Sequence, residues 1–325
     1  MRVMAALAAA VATVFAAPAA VAGELPARGA SVDHVTMLTD RRAAVFVDSP
    51  AMGRIVQVQV LLPADRDTAH PTLYLLDGVG GGQESGGRES DWTTETDAAD
   101  FFADKPVNVV LPVGGAGSYY TDWQRADPVL GVNRWETFLA DELPPLIDTE
   151  FGGNGVNTVA GLSMGGAAAL NLITRRPELY TGVASYSGCA DTSSPEARFV
   201  VRRAVGLVNG DADNMWGLDD DPDWAAHDPL HNAAALRGKV VYSSVGNGAL
   251  GPRDRLDDPA LPLVAALGGP LEAAALHCTL GFERRLQELG IPATFDYRPA
   301  GTHTWLYWQD ALRSSWPSLS RAMGV

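Results

Sequence analysis

Short Val-rich runs, each followed by a stretch with helical spacing, recur along this chain and restrict it to folds in which a sheet is covered on both faces. Candidate strands lie at residues 55–62, 72–76, 107–113, 156–160, 183–187, 240–245 and 294–297. The first alternates apolar with polar residues, as one member of a half-exposed antiparallel pair does. Most of the others are apolar on both faces, which suits a buried parallel sheet. Helices are predicted over 135–147, 165–175, 271–289 and 305–322. This alternation predicts an α/β sandwich with right-handed crossovers, and chemistry in such sheets lies beyond the carboxyl ends of the strands. A chain of 325 residues is long enough for two domains, but no linker divides it and one domain is expected.

Residues 1–22 stand apart. They carry one charge, Arg2, then a run of Ala, Val, Leu and Phe ending in Ala20, Val21 and Ala22, the pattern of a secretory signal cleaved before Gly23. A retained anchor is the alternative, since the run approaches the roughly 20 residues that span a bilayer; its alanine richness and small-residue end favour cleavage. No later segment reads as long and apolar enough to cross a membrane, so residues 23–325 are expected to form an exported soluble domain, a monomer of the envelope or medium. The net charge of −15 argues against nucleic acid, where Lys and Arg must meet phosphates. Two cysteines, Cys189 and Cys278, are in an exported chain either a disulfide or two buried thiols.

The chemistry is signalled by Gly161, Leu162, Ser163, Met164 and Gly165, a GxSxG pentapeptide between the strand at 156–160 and an alanine-rich helix. In that setting the motif predicts a nucleophile elbow, which lifts a serine hydroxyl above the sheet for attack on an acyl group. A serine nucleophile needs a base and an acid that orients the base. Of the six histidines, His303 follows the last strand and precedes the last helix, where the Ser, acid, His order of an α/β-hydrolase fold puts its base. For the acid, spacing leaves Asp254 and Glu272 as near equals, with Asp257 and Asp258 also in the loop. No metal or cofactor is required by this chemistry.

Over nearly the whole chain after the leader, ordered strings support a family resemblance. They are YLLDG at 74–78, LPVGG at 111–115, YTDW at 120–123, WETFL at 135–139, GLSMGG at 161–166, MWG at 215–217, DPDW at 221–224, HDPL at 227–230, GNG at 246–248 and GTHTWLYW at 301–308. In these the chain resembles the antigen 85 family of mycolyltransferases. The resemblance implies a single-domain α/β-hydrolase fold, with a mostly parallel central sheet flanked by helices. It implies Glu272, preceded by Leu271, as the acid, and backbone N–H groups of Val79 and Met164 as the oxyanion hole. It also implies contacts from Asp77 and Trp305 to the trehalose of the substrate.

The departures are specific. The arginine that follows the oxyanion residue in the family is here Gly80, in a longer loop where Arg88 is the candidate replacement. The aromatic segment linked to fibronectin binding is replaced by Phe101, Phe102, Ala103, Asp104 and Lys105, so an adhesin role is not expected. The implied activity is transfer of a mycoloyl group from trehalose monomycolate, through an acyl-Ser163, to a second trehalose monomycolate or to cell-wall arabinan. Residues 199–208 are a candidate wall for the acyl chain, an ordinary amphipathic helix being the other reading. Three alternatives stay open: a carboxylesterase with water as acceptor, an acyltransferase acting on diacylglycerol or protein hydroxyls, and a non-catalytic envelope-binding protein.

Overall fold

A computed structural model of the protein describes residues 29–255 and 257–325; the expected leader at 1–22 lies outside the described residues. The strands are β1 (Ser31–Thr39), β2 (Arg42–Ser49), β3 (Arg54–Leu61), β4 (His70–Leu76), β5 (Asn108–Pro112), β6 (Gly153–Leu162), β7 (Tyr180–Tyr186), β8 (Val240–Val245) and β9 (Thr294–Tyr297). They form one sheet in the order β1-β2-β3-β5-β4-β6-β7-β8-β9. The first three strands and the β3–β5 pair are antiparallel. Every pairing from β5 onward is parallel.

All the strands expected from the sequence form, and β1 and β2 are additions. β2 is the antiparallel partner that the alternation of β3 calls for. β1 is held only through β2 and is largely exposed, so its sequence carries no periodic burial to betray it.

The parallel half is apolar on both faces because both faces are covered. Tyr74, Val110, Val159, Val183 and Val241 point into one core, whereas Leu73, Leu75, Val109, Leu111, Ala160 and Ala184 point into the other. Burial of a side chain such as Leu75, which has no exposed surface, contributes roughly 1.5–3 kcal/mol.

The helices that matter for the site are α1 (Asp91–Glu95), α2 (residues 135–151), α3 (Met164–Arg175), α4 (Pro195–Leu207), α5 (Leu261–Glu288) and α6 (Trp305–Met323). The first core takes residues from α2, α3, α4 and the C-terminal half of α5. The second takes Trp92 of α1 and Trp308, Ala311, Leu312 and Leu319 of α6.

Two expectations are corrected. α5 starts ahead of its predicted first residue, and the added turns make it long and apolar enough, by length and composition only, to cross a membrane, with a mean hydropathy of 1.4 over its most apolar window. Here it buries Glu272, Ala275, Thr279, Phe282 and Leu286 on one face instead. The segment at 199–208 is mostly the amphipathic helix α4, capped by Ser194 and seated through Ala197, Val201 and Val205. Phe199, Val200 and Leu207 face solvent, so these residues do not share one wall.

Cys189 and Cys278 form a disulfide with Cα atoms 5.1 Å apart and a sequence separation of 89, which resolves the choice left open by the sequence. A loop of that length contributes roughly 4–5 kcal/mol in the chain-entropy model.

Candidate active site

The chain leaves β4 for β5 on one side and leaves β6 for β7 on the other, so the carboxyl ends of β4 and β6 flank the point where the strand order reverses. Crevices open at such points. The loop beginning Asp77, Gly78, Val79 and the elbow at Ser163 are the two segments that enter it.

The elbow is dictated by sterics. β6 ends at Leu162 and α3 starts at Met164, leaving Ser163 alone to turn the chain at φ 52° and ψ −119°. That backbone region is sparsely populated for a residue with a side chain and costs of order 1–3 kcal/mol. The turn is held by the Ser163 N–H donating to the Tyr186 carbonyl at 2.8 Å. The flanking glycines are required by close approach. A Cβ on Gly161 would collide with the Gly165 carbonyl, and one on Gly165 with the carbonyl of Asp77.

His303 lies between β9 and α6. Its Nε2 is 2.8 Å from Ser163 Oγ and its Nδ1 is 2.7 Å from Glu272 Oε2. A carboxylate only accepts, so the ring proton sits on Nδ1 and leaves Nε2 free to accept from the serine hydroxyl. The residue is held in place by its backbone N–H donating to the Gly268 carbonyl at 3.2 Å, and its ring lies against the edge of Trp308, with ring centroids 4.8 Å apart.

Glu272 is 2% exposed, and its second oxygen is also satisfied. Oε1 accepts from Ser187 Oγ at 2.8 Å and from the Gly246 N–H at 2.6 Å. Ser187 Oγ in turn accepts from Trp308 Nε1 at 3.0 Å. Donors from three separate segments therefore converge on one buried carboxylate, which is what a buried charge demands.

Sequence reasoning does not single out Ser187 or Trp308. The available signal for Ser187 is its place directly after β7, at the same edge of the sheet as Ser163. It too turns the chain at positive φ, 54°.

The other expected site residues are placed as follows. Val79 and Met164 lie on the two segments that meet at the crevice; among the described residues neither backbone N–H is used in a hydrogen bond. Trp305 is half-buried, edge-on to Trp92 at 5.7 Å and to Trp308 at 5.4 Å.

Asp77 has no exposed surface. Its carboxyl accepts from Ser90 Oγ at 2.9 Å and from the N–H groups of Asp91 and Trp92 at 3.2 and 3.3 Å, fastening the start of α1 to the end of β4. Burial, and then the neighbouring Asp91, push this carboxyl up to about 8.

Asp254 is not the partner of the imidazole's Nδ1, a place taken by Glu272. It accepts from Thr302 Oγ1 at 2.8 Å, Tyr307 Oη at 2.7 Å and the Gly251 N–H at 2.7 Å, bracing the chain on both sides of His303. Arg88 folds back on its own turn, with Nε donating to the Ser85 carbonyl at 3.0 Å.

A serine at a strand-to-helix elbow, hydrogen-bonded through a histidine to a buried glutamate at the carboxyl edge of a mostly parallel sheet, is the layout of a serine α/β hydrolase. Residues 49–319 match the Esterase family. The chain is 32% identical over 288 residues to the diacylglycerol acyltransferase/mycolyltransferase Ag85A of Mycobacterium leprae, covering 86% of this chain and 82% of that protein. It is 31% identical over 293 residues to Ag85B of Mycolicibacterium smegmatis, covering 86% and 85%. Among solved structures, Mycobacterium tuberculosis MPT51 (FbpC1) superposes with a TM-score of 0.69 at 27% identity, over 85% of this chain and 96% of that one. A ferulic acid esterase shares the fold at a TM-score of 0.57 and 21% identity, over 87% and 98%. The chain belongs to the Esterase family and, within it, to the antigen 85 group.

Proposed function

We propose that this protein is an exported serine acyltransferase that moves a long-chain mycoloyl group from trehalose monomycolate to a hydroxyl acceptor. The observation that carries the reading is the unbroken hydrogen-bond chain from Ser163 through His303 to Glu272. In the first step His303 Nε2 takes the Ser163 proton as Oγ attacks the ester carbonyl. The N–H groups of Val79 and Met164 receive the developing oxyanion; being fixed before charge appears, they reorganise little. Glu272 keeps the imidazole in the Nδ1–H tautomer and stabilises its charged form. As the C–O bond breaks, the imidazolium gives its proton to the departing trehalose oxygen, which leaves as a hydroxyl. In the second step His303 deprotonates a hydroxyl of another trehalose monomycolate, or of cell-wall arabinan, which takes the acyl group from Ser163.

The names of the mycobacterial relatives, which join mycolyltransferase to diacylglycerol acyltransferase, support an acyl ester as donor. For the acyl chain, the exposed stripe Leu263, Leu267 and Leu271 on α5 is the apolar surface beside the acid, at a spacing of four residues that keeps one helix face. Trp305, packed edge-on against Trp308, remains the proposed sugar contact. Residues 1–22 are read as the export signal and 23–325 as the single mature domain.

The match to the Esterase family supports a second reading, in which water is the acceptor. Incubation with labelled trehalose monomycolate separates the two. Trehalose dimycolate as the main product supports transfer, and free mycolic acid as the sole product overturns it in favour of hydrolysis.

A further inference from the structure

We propose that the Cys189–Cys278 disulfide is a positioning device for Glu272, holding the acid's helix to the turn that carries Ser187, so that breaking it lowers turnover before it unfolds the chain. This rests on the reading of Glu272 as the catalytic acid. One end of the crosslink lies two residues after Ser187, whose hydroxyl bonds Glu272 Oε1. The other lies six residues after Glu272 on α5, about 9 Å along the helix axis.

The turn at 187–189 is a rigid reference. The Ser187 N–H donates to the Ser244 carbonyl at 2.8 Å. A Cβ on the next residue, Gly188, would collide with the backbone of Gly166 and Ala167 at the start of α3. The turn is thereby clamped between β8 and the helix that presents Ser163.

α5 is anchored unevenly. Its large buried side chains, Phe282 and Leu286, belong to the half that follows Cys278. In the half that carries the acid, the buried residues besides Glu272 are small, among them Gly269 and Ala275, while Leu263, Leu267 and Leu271 are exposed. Apolar burial scales with area, so the half bearing Glu272 is the weakly seated one and the disulfide stands at the junction of the two. A shift of about 1 Å in such a group costs on the order of a hundredfold in rate.

The test measures turnover of a short chromogenic acyl ester by four proteins: the parent, the Cys189→Ser/Cys278→Ser pair, Glu272→Gln, and the triple variant. Assays are run well below each protein's unfolding midpoint. The expected result is a kcat for the cysteine pair roughly tenfold or more below the parent with KM nearly unchanged, and a Glu272→Gln penalty that shrinks by a similar factor when the crosslink is absent. An unchanged kcat together with the same Glu272→Gln penalty in both backgrounds overturns the inference and leaves the disulfide a stabilising staple alone. If Glu272→Gln leaves the parent's kcat intact, the acid assignment fails instead.

Should the pair not fold, the folded parent is reduced with a tertiary phosphine. The phosphine takes oxygen from water to become its oxide, and the disulfide gains two electrons and two protons to become two thiols. The same kinetic fall, reversed on reoxidation, is expected; a reduced, folded protein of full kcat overturns the proposal.

Discussion

The two sides of the triad are held by different physics. On the serine side, position follows from local sterics: Gly161 and Gly165 have no room for a Cβ, and Ser163 is the single residue between β6 and α3. On the acid side nothing local positions Glu272. Its carboxylate is located by Ser187, Gly246 and His303, drawn from three distant segments, and its helix by a disulfide spanning 89 residues. A local constraint survives in the sequence as a motif, whereas a constraint assembled across the fold leaves no motif.

Substitutions probe that contrast at both ends. The largest effect is expected at the nucleophile: Ser163→Ala abolishes acyl transfer, a fall of about 10⁴-fold or more, while circular dichroism and the unfolding midpoint stay close to the parent. Residual turnover within tenfold of the parent would remove the serine from the mechanism.

Next come the two carboxylates that spacing alone does not separate. Glu272→Gln keeps the shape but not the charge and is expected to lower kcat by roughly 10²–10⁴-fold. Asp254→Asn, which touches Thr302 and Tyr307 rather than the imidazole, is expected to cost about tenfold or less. The reverse order, measured by steady-state kinetics, would exchange their roles.

Gly165→Ala sharpens the steric half of the comparison. Its added methyl group meets the Asp77 carbonyl, and the expected destabilisation is about 1–3 kcal/mol by denaturant unfolding. A neutral result would show that the elbow has slack.

A change in pH rather than in sequence probes Asp77. Burial first, and Asp91 second, raise its carboxyl to about 8, so the folded chain keeps a proton that the unfolded chain releases near pH 4. The folded state binds more protons between those values. The stability this group contributes is therefore full below about pH 4 and is lost as pH rises to about 8. Thermal unfolding of Asp77→Asn against the parent should show a difference that moves in favour of the variant from pH 5 to pH 8. A difference that stays flat would contradict it.

The same division explains what the sequence made legible. The parallel strands and their helices are readable because burial on both faces imprints a continuous apolar pattern, as at Leu73, Tyr74, Leu75 and Leu76. β1 is not readable, because an exposed edge strand is held by backbone pairing to β2 rather than by apolar side chains. In the site, Ser163 and His303 follow from their places beside strand ends. Glu272 against Asp254 is decided by resemblance and not by spacing, since both lie between β8 and β9. Asp77 stands at the position the resemblance implies, and Ser90, Asp91 and Trp92 enclose its carboxyl, partners that its place in the sequence does not reveal. Ser187 and Trp308 escape notice because a serine and a tryptophan acquire their roles only when β7 and α6 bring them to the same carboxylate.

The most direct test of the account is intact-mass spectrometry of the protein quenched in the first turnovers with an activated long-chain acyl ester, followed by peptide mapping. The account predicts one added acyl group located on Ser163, absent in Ser163→Ala and cleared when a hydroxyl acceptor is supplied. Rapid product formation with no acyl adduct on Ser163, or with an adduct elsewhere, would contradict it.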